Sequence, residues 1–340
     1  MMKEKVLVTG AAGFIGAATV RALLEKGDDV VGIDNINSYY DTRMKYARLD
    51  EAGIPQKEIR DNSMVYSVFG TSYRFMKMEL TDRIGLARLF DEERFSIVVN
   101  LAGQAGVRYS IENPFAYVES NVVGFLNVLE CCRHYPVKHL LYASSSSVYG
   151  MGNKVPYSEA DMTDAPVSLY AATKKSDELM AHAYSKLYGI PATGLRFFTV
   201  YGPWGRPDMA PYLFLSAIME DRPIRVFNNG EMQRDFTYID DIVDGVVTLL
   251  KHPSKTAVPH RVYNIGHSSP VRLMDFIRCI ENVAGKKAMM CMEGMQPGDV
   301  VCTFADTTRL KNDLGFAAST PLEEGIRKFY EWYVGFYGVE

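Results

Sequence analysis

Cysteine is scarce in this chain: Cys131, Cys132, Cys279, Cys291 and Cys302 are the five present among 340 residues, with no Cys-x-x-Cys pair and no regular spacing. An odd, scattered set in a long chain argues against a disulfide framework and for reduced thiols, so a cytoplasmic setting is expected. An excess of charge is also lacking. The 37 basic and 41 acidic residues are mixed along the sequence and leave a net charge of −4, so neither nucleic acid nor an anionic membrane is expected as a partner. Any anionic ligand must be captured locally. No stretch reaches the roughly 18 uncharged apolar residues of a membrane span. The opening Met-Met-Lys-Glu-Lys runs directly into strand-like Val6-Leu7-Val8, which leaves no room for a signal segment. The histidines (His134, His139, His182, His252, His260, His267) show no ligand spacing, so no metal is expected. Low-complexity segments and repeats are absent.

What remains is a globular composition, and a length that suits one large or two coupled domains. Short β-branched runs recur with helical patterns between them. The strands are read at Val6–Val8, Val30–Ile33, Ile97–Asn100, His139–Ala143 and Ala192–Phe197, with a further one near Arg74–Met78. The helices are read at Ile15–Lys26, Ile84–Phe90, Val118–Arg133 and Leu169–Tyr188. This spacing predicts successive βαβ units, and strands apolar on both faces are those that helices cover on both sides. The expected fold class is α/β: a Rossmann-type, doubly wound parallel sheet with a smaller, interleaved C-terminal α/β lobe. We place the first domain at 1–198, with a return segment near 240–265, and the second at 199–340. Residues 50–74 read only as a surface excursion.

Two motifs carry chemistry. Gly10-Ala11-Ala12-Gly13-Phe14-Ile15-Gly16 follows one strand and opens a helix, where small residues admit a pyrophosphate to free amides and the positive end of the dipole. Asp34 ends the next strand, 18 residues after Gly16, placed to accept from a ribose diol and to repel a 2′-phosphate. The expected cofactor is therefore NAD; Arg43 and Lys45, further along, carry little weight as phosphate partners. The second motif is Tyr170-Ala171-Ala172-Thr173-Lys174, with Ser144-Ser145-Ser146-Ser147 upstream at a strand end. Positions i and i+4 share a helix face, and a neighbouring ammonium lowers a phenol's pKa from near 10, so Tyr170 is a candidate general base.

With these motifs in view the chain resembles the extended short-chain dehydrogenases/reductases and, within them, the nucleotide-sugar epimerases, most of all those acting at C4 of UDP-glucuronate. The segments GAAGFIG, DNINSYYD (34–41), NLAGQAGVRYS (100–110), ASSSSVYG (143–150), YAATK, RFFTVYGPWGRPDMA (196–210) and GEMQRDFTYIDDIV (230–243) carry the resemblance over nearly the whole length. The GRPDMA and RDFTYIDD segments are the most specific.

The resemblance implies a catalytic set of Ser145, Tyr170 and Lys174. It implies NAD contacts from Gly10, Ala12, Gly13, Phe14, Ile15 and Gly16, from Asp34, Asn35 and Asn37, from Glu79 and Leu80 beside adenine, and from Leu101, Ala102, Gly103 and Gln104 beneath the cofactor. Asn121, Tyr170, Lys174 and Phe198 complete that set. Ala105 stands where UDP-galactose 4-epimerases carry lysine. For a UDP-sugar acid it implies Ser145, Ser146, Ser147, Tyr170, Thr199, Arg206 and Arg108 on the sugar side. Arg234 matches the diphosphate contact, Val226, Phe227 and Asn228 the uracil pocket, and Gln296 and Asp299 the uridine contacts. Arg206 is the cation chosen for the sugar carboxylate, since a guanidinium can grip it bidentately; bracing of the Gly-Pro loop is the alternative. Arg108 reads equally as a loop cation or a ligand contact.

Related dehydratases carry an Asp-Glu pair after the bridging Ser or Thr, and decarboxylases carry a glutamate. Here Ser146 and Ser147 offer no acid, which disfavours elimination. The expected activity is an isomerase reaction converting UDP-glucuronic acid to UDP-galacturonic acid through a 4-keto intermediate. A UDP-glucose/UDP-galactose 4-epimerase and a non-catalytic NAD-binding regulator remain the alternatives. The apolar faces of Phe115–Arg133 and Leu169–Tyr188 suggest, by resemblance, a homodimer formed through a helix bundle.

Overall fold

The computed structural model describes residues 3–151, 154–296 and 300–339. The chain forms two compact units. Met1–Gly150, Met162–Arg196 and Val246–Tyr263 make the first; Met151–Asp161, Phe197–Gly245 and Asn264–Glu340 make the second.

The first unit is built on strands β1 (Lys5–Thr9), β2 (Asp29–Asp34), β3 (Met64–Tyr66), β4 (Tyr73–Lys77), β5 (Ile97–Asn100), β6 (His139–Ser145) and β7 (Ala192–Phe197). With the strand His260–Ile265 they form one eight-stranded sheet, in which β7, β6, β5, β1, β2, β4 and β3 follow that strand in order. The pairs β1–β2, β1–β5, β5–β6 and β2–β4 are parallel. Residues 50–74 end in β3, which pairs antiparallel with β4 as a short edge strand. Its three residues are too few to show an alternating pattern in the sequence.

Helices α1 (Phe14–Glu25), α2 (Thr42–Glu51), α3 (Arg83–Glu93), α4 (Tyr109–Glu112), α5 (Pro114–Tyr117), α6 (Gly124–His134) and α7 (Leu169–Tyr188) accompany the sheet. Leu7, Val31, Val98 and Leu140 on the strands are fully buried, against Leu86 and Phe90 of α3 and Phe125 and Leu129 of α6. Such strands lose their alternation because both faces are covered, which is why they read as continuous apolar runs. The helix expected from Val118 is interrupted: Val118–Val123 is a π-helical stretch, and regular α-helix begins at Gly124. A π-turn re-aims side chains within an otherwise regular helix, and such turns are frequent at functional positions.

In the second unit three helices, Ala210–Met219, Leu273–Ala284 and Leu322–Tyr337, bury Phe214, Phe276, Ile280 and Phe329. Short strands accompany them: Thr199–Tyr201 lies parallel to Phe236–Tyr238, Ile224–Val226 to Met290–Met292, and Gln233–Arg234 to Cys302–Thr303. The segment 151–161 belongs here through Tyr157, which bridges Ala305 and accepts at its carbonyl from Asn264 Nδ2 at 2.7 Å. No helix among the described residues is long and apolar enough to cross a membrane.

Candidate active site

The glycine-rich turn after β1 is shaped by crowding. Gly10 has φ +72°, and a Cβ there would stand 2.8 Å from the Ala102 amide nitrogen, so the β1 and β5 turns are in direct contact. A Cβ on Gly16 would be driven into the carbonyl of Gly10. Gly13 precedes α1 as its N-cap without any side-chain cap, so the first-turn amides of Phe14, Ile15 and Gly16 meet no capping oxygen. Such a cradle fits the pyrophosphate of a dinucleotide.

Asp34, buried at the end of β2, accepts from Ala12 N at 3.1 Å through Oδ2 and from Ile36 N at 2.7 Å through Oδ1. It thus ties the glycine-rich turn to the next loop, where Asn35 Nδ2 donates to Glu79 Oε2 at 3.1 Å and Asn37 N to Asn35 Oδ1 at the same distance. Lys45 is buried as well, with Nζ 3.9 Å from Asp34 Oδ1 and donating to Asn37 Oδ1 at 2.9 Å, whereas Arg43 faces Asp41. Arg48 was not singled out in the sequence. Its Nη1 donates to Ala12 O at 3.0 Å and to Tyr40 OH at 2.8 Å, so α2 braces the glycine-rich turn. Leu80 is buried and its carbonyl accepts from Asn127 Nδ2 at 2.8 Å.

The loop 101–104 is pinned from both sides. Thr9 Oγ1 donates to Asn100 Oδ1 at 2.7 Å and accepts from Ala102 N at 3.0 Å. Asn121, 1% exposed in the π-turn, accepts from Gln104 N at 2.8 Å and donates to Gln104 O at 3.0 Å and Thr173 Oγ1 at 2.9 Å. One side chain therefore couples this loop to α7. Gly103 sits against them: a Cβ would be 2.8 Å from Asn121 Oδ1 and 3.3 Å from Lys174 Nζ.

Helix α7 starts at a Ser168 cap, whose side chain accepts from Ala171 N at 3.1 Å, and this places Tyr170 in its first turn. Tyr170 is half-buried edge-on to Tyr117, with ring centroids 6.0 Å apart; the Tyr117 hydroxyl donates to Ala105 O at 3.0 Å. Lys174, one turn on, is buried and donates to Ala143 O and to Asp177 Oδ2, each at 3.1 Å. Ser145 ends β6 and caps the 3₁₀ turn Ser146–Tyr149, its Oγ accepting from Ser147 N at 3.1 Å.

Behind the triad lies a buried polar network. Glu178 accepts from Arg196 Nε at 2.7 Å and Nη2 at 2.8 Å and from Ser144 Oγ at 2.7 Å; Arg196 Nη1 donates to Tyr149 OH at 2.9 Å. Burial by itself would raise the Glu178 carboxyl, but Arg196 outweighs it and holds the group below the usual glutamate value. Burial pushes Asp177 up to about 7 against the pull of Lys174. The pairing of Arg196 with a carboxylate 18 positions earlier has no signal in local spacing; the charged pair Asp177-Glu178 on a helix otherwise set for burial was the clue.

Most of the remaining residues fall in the second unit. Phe198 is buried and its amide donates to Ile265 O at 3.3 Å; Thr199 lies in the strand beside Phe236. Arg206 meets Asp208 through Nε at 3.0 Å and Nη2 at 2.5 Å, so a carboxylate of the chain itself holds the guanidinium chosen for a ligand carboxylate. Val226, Phe227 and Asn228 run into a 3₁₀ turn beside 290–293, where Glu293 N donates to Val226 O at 2.9 Å. Arg234 Nη1 donates to Val301 O at 3.1 Å, and Gln296 Nε2 to Gly294 O at 3.3 Å. Arg108 of the first unit is exposed at the start of α4. Asp299 lies outside the described residues. Among the described residues no three His, Cys, Asp or Glu side chains gather as metal ligands.

Residues 6–266 match the NAD dependent epimerase/dehydratase family. The chain is 44% identical to UDP-glucuronate 4-epimerase 1 of Arabidopsis thaliana, over 98% of its own length and 77% of the relative's. It is 43% identical to a probable UDP-glucuronate 4-epimerase of Rhizobium meliloti, over 97% and 96% of the two chains. Among solved structures, UDP-glucuronic acid 4-epimerase of Bacillus cereus, in complex with UDP-glucuronic acid and NAD, superposes with a TM-score of 0.86 at 32% identity, covering 98% of this chain and all of that one.

Proposed function

This chain belongs to the NAD dependent epimerase/dehydratase family, and we propose that it inverts C4 of UDP-glucuronic acid, reversibly, to give UDP-galacturonic acid. One observation carries this reading beyond the family: buried Lys174 is fixed one turn below Tyr170, while the positions after Ser145 hold Ser146 and Ser147 and no acid. The set can move a proton to and from a sugar hydroxyl but lacks the acid that elimination requires.

The uncapped start of α1, the crowded glycines and the carboxylate of Asp34 fit NAD, which when bound accepts hydride from C4 and returns it to the opposite face. Tyr170 takes the O4 proton as the 4-keto sugar forms and gives it back after the sugar has turned. Lys174 stabilises the phenolate and would hold the nicotinamide ribose; Ser145 hydrogen-bonds O4. Asn121 and Gln104 hold the loop 101–104, which would bear the cofactor. By the resemblance, Phe198 is assigned to the nicotinamide, Val226, Phe227, Asn228, Arg234, Gln296 and Asp299 to the nucleotide, and Thr199, Arg206, Ser146, Ser147 and Arg108 to the sugar acid. Arg206, steadied by Asp208, restrains the carboxylate of the β-keto acid intermediate, which otherwise loses carbon dioxide.

The chain works in the cytoplasm as a homodimer. Support for the dimer is the exposure of Phe115, Leu126, Leu179 and Leu187 on 114–117, α6 and α7 of one unit. A monomer at micromolar concentration by light scattering would refute it.

The deciding assay gives purified protein NAD with UDP-glucuronic acid or UDP-glucose and resolves the UDP-sugars. Interconversion of UDP-glucuronate and UDP-galacturonate without net reduction of NAD supports the reading. Turnover of UDP-glucose alone, release of a UDP-pentose, or no reaction rejects it.

A further inference from the structure

Asp177 is a buried carboxylate left half-satisfied beside the catalytic lysine. It is 2% exposed; Oδ2 accepts from Lys174 Nζ at 3.1 Å, while Oδ1 has no hydrogen-bond partner among the described residues. Buried polar atoms are seldom left in that state, so each one calls for an explanation. An ammonium has three N–H donors. Ala143 O and Asp177 Oδ2 take two of them, which aims the third.

We propose that Asp177 is a positioning residue that sets the pH at which Tyr170 works, by fixing Lys174 and offsetting its charge. This deepens the epimerase reading and rests on it. The Lys174 ammonium stabilises a phenolate at Tyr170; a carboxylate on the same ammonium has the phenolate's sign and opposes that stabilisation. Protonating Asp177 removes the opposition. Burial pushes the carboxyl up to about 7, so its charge changes within the working range of such an enzyme.

The titratable groups facing Asp177 are Lys174 and Glu178 on its own helix and Tyr142 on β6. Arg196 on β7 and Tyr149 on the 3₁₀ turn are engaged with Glu178 and with each other. The π-turn brings Asn121, which does not titrate. On α6, Glu130 is taken by Tyr184 and Arg133, and Tyr117 of α5 faces Tyr170. No second cation from these groups contacts Asp177.

Asp177 and Tyr170 are two helical turns apart, about 10 Å, and a unit charge at that distance in an effective dielectric near 20 moves a pKa by roughly one unit. The test follows initial rates of UDP-glucuronate epimerisation from pH 5 to 10 at saturating NAD. In Asp177→Asn the acid limb of kcat should move lower by up to about one unit, the full shift applying where the parent's carboxyl is ionised; Asp177→Ser should move it the same way, and Asp177→Glu should return it toward the parent. A limb that stays in place, whether or not the rate falls at every pH, overturns the proposal. Absence of epimerisation by the parent chain would instead overturn the reading beneath it.

Discussion

Replacing Gly103 by alanine tests whether the 101–104 loop, the π-turn and α7 form one rigid unit. Gly103 is absent from the glycines with positive φ, so the added methyl meets no conformational penalty, only neighbours. Those neighbours are Asn121 Oδ1 at 2.8 Å and Lys174 Nζ at 3.3 Å. Asn121 cannot retreat freely, because hydrogen bonds of 2.8, 3.0 and 2.9 Å to Gln104 N, Gln104 O and Thr173 hold it. Overpacking of a fixed site costs about 1–3 kcal/mol, and loosening the Gln104 bond exposes a buried donor at a further ~1–3 kcal/mol. The variant should therefore lose about 2–6 kcal/mol in urea unfolding with an unchanged m-value. NAD should also raise its melting temperature less than it raises the parent's, because the displaced groups are those expected to meet the cofactor. A loss below about 0.5 kcal/mol, together with an undiminished NAD response, would show that Asn121 adapts and that the loop is not coupled to α7.

Three further outcomes follow from the same geometry. Glu178→Gln leaves the Arg196 guanidinium buried without its charge partner and should destabilise the chain by about 3–5 kcal/mol in denaturant unfolding; a loss under 1 kcal/mol would contradict the network. Because the folded carboxyl of Glu178 lies below its ordinary 4.5, its stabilisation is present above that pH and disappears as pH falls through the folded value, so the difference between parent and variant should shrink in acid. Tyr170→Phe should cut kcat by roughly 10²–10⁴ while leaving the NAD-induced rise in melting temperature in place; a loss of NAD binding would reassign the tyrosine to structure. Gly335→Ala, exposed within the helix Leu322–Tyr337 and with open space around its Cβ, should stabilise by about 0.5–1 kcal/mol, and a destabilised variant would reject that view of the helix.

The parallel strands were legible because burial on both faces turns them into β-branched runs; Ile97–Asn100 and Ala192–Phe197 have the extents read from sequence. The glycine-rich turn and the Tyr170–Lys174 spacing were legible because each depends on residues within one turn or loop. What escaped were contacts between distant positions. Arg48 reaches the Ala12 carbonyl across 36 residues, and Asn121 joins Gln104 to Thr173 only because a π-turn re-aims it. A periodic apolar pattern cannot show such a turn, since one extra residue in one turn leaves the flanking pattern nearly intact. The packing of Met151–Asp161 with the second unit depends on Tyr157 and Asn264, 107 positions apart. Asp208, by contrast, is a local partner, two residues from Arg206, and such a pair is visible in the sequence itself.

Both ligands assigned to the chain are anionic, although its net charge is −4. Several of its cations already face carboxylates of the chain itself. Lys174 is matched by Asp177, Arg196 by Glu178, Arg74 by Asp29 and Glu93, and Arg206 by Asp208. A cation already facing a carboxylate keeps its hydrogen-bonding geometry but projects little net field, so such pairs add little attraction for an anion. Attraction for a pyrophosphate then falls to the start of α1, where Gly13 stands as a cap with no side-chain oxygen. Serine or aspartate there would add roughly 0.5–2 kcal/mol to the helix over a residue that cannot cap, though only a few tenths over glycine. That oxygen would occupy the same amides a phosphate needs, and its Cβ would stand 2.9 Å from the Gly10 carbonyl. Leaving the cap empty thus costs the helix little and keeps its dipole and donors available, which is how a chain without surplus positive charge can hold a dinucleotide.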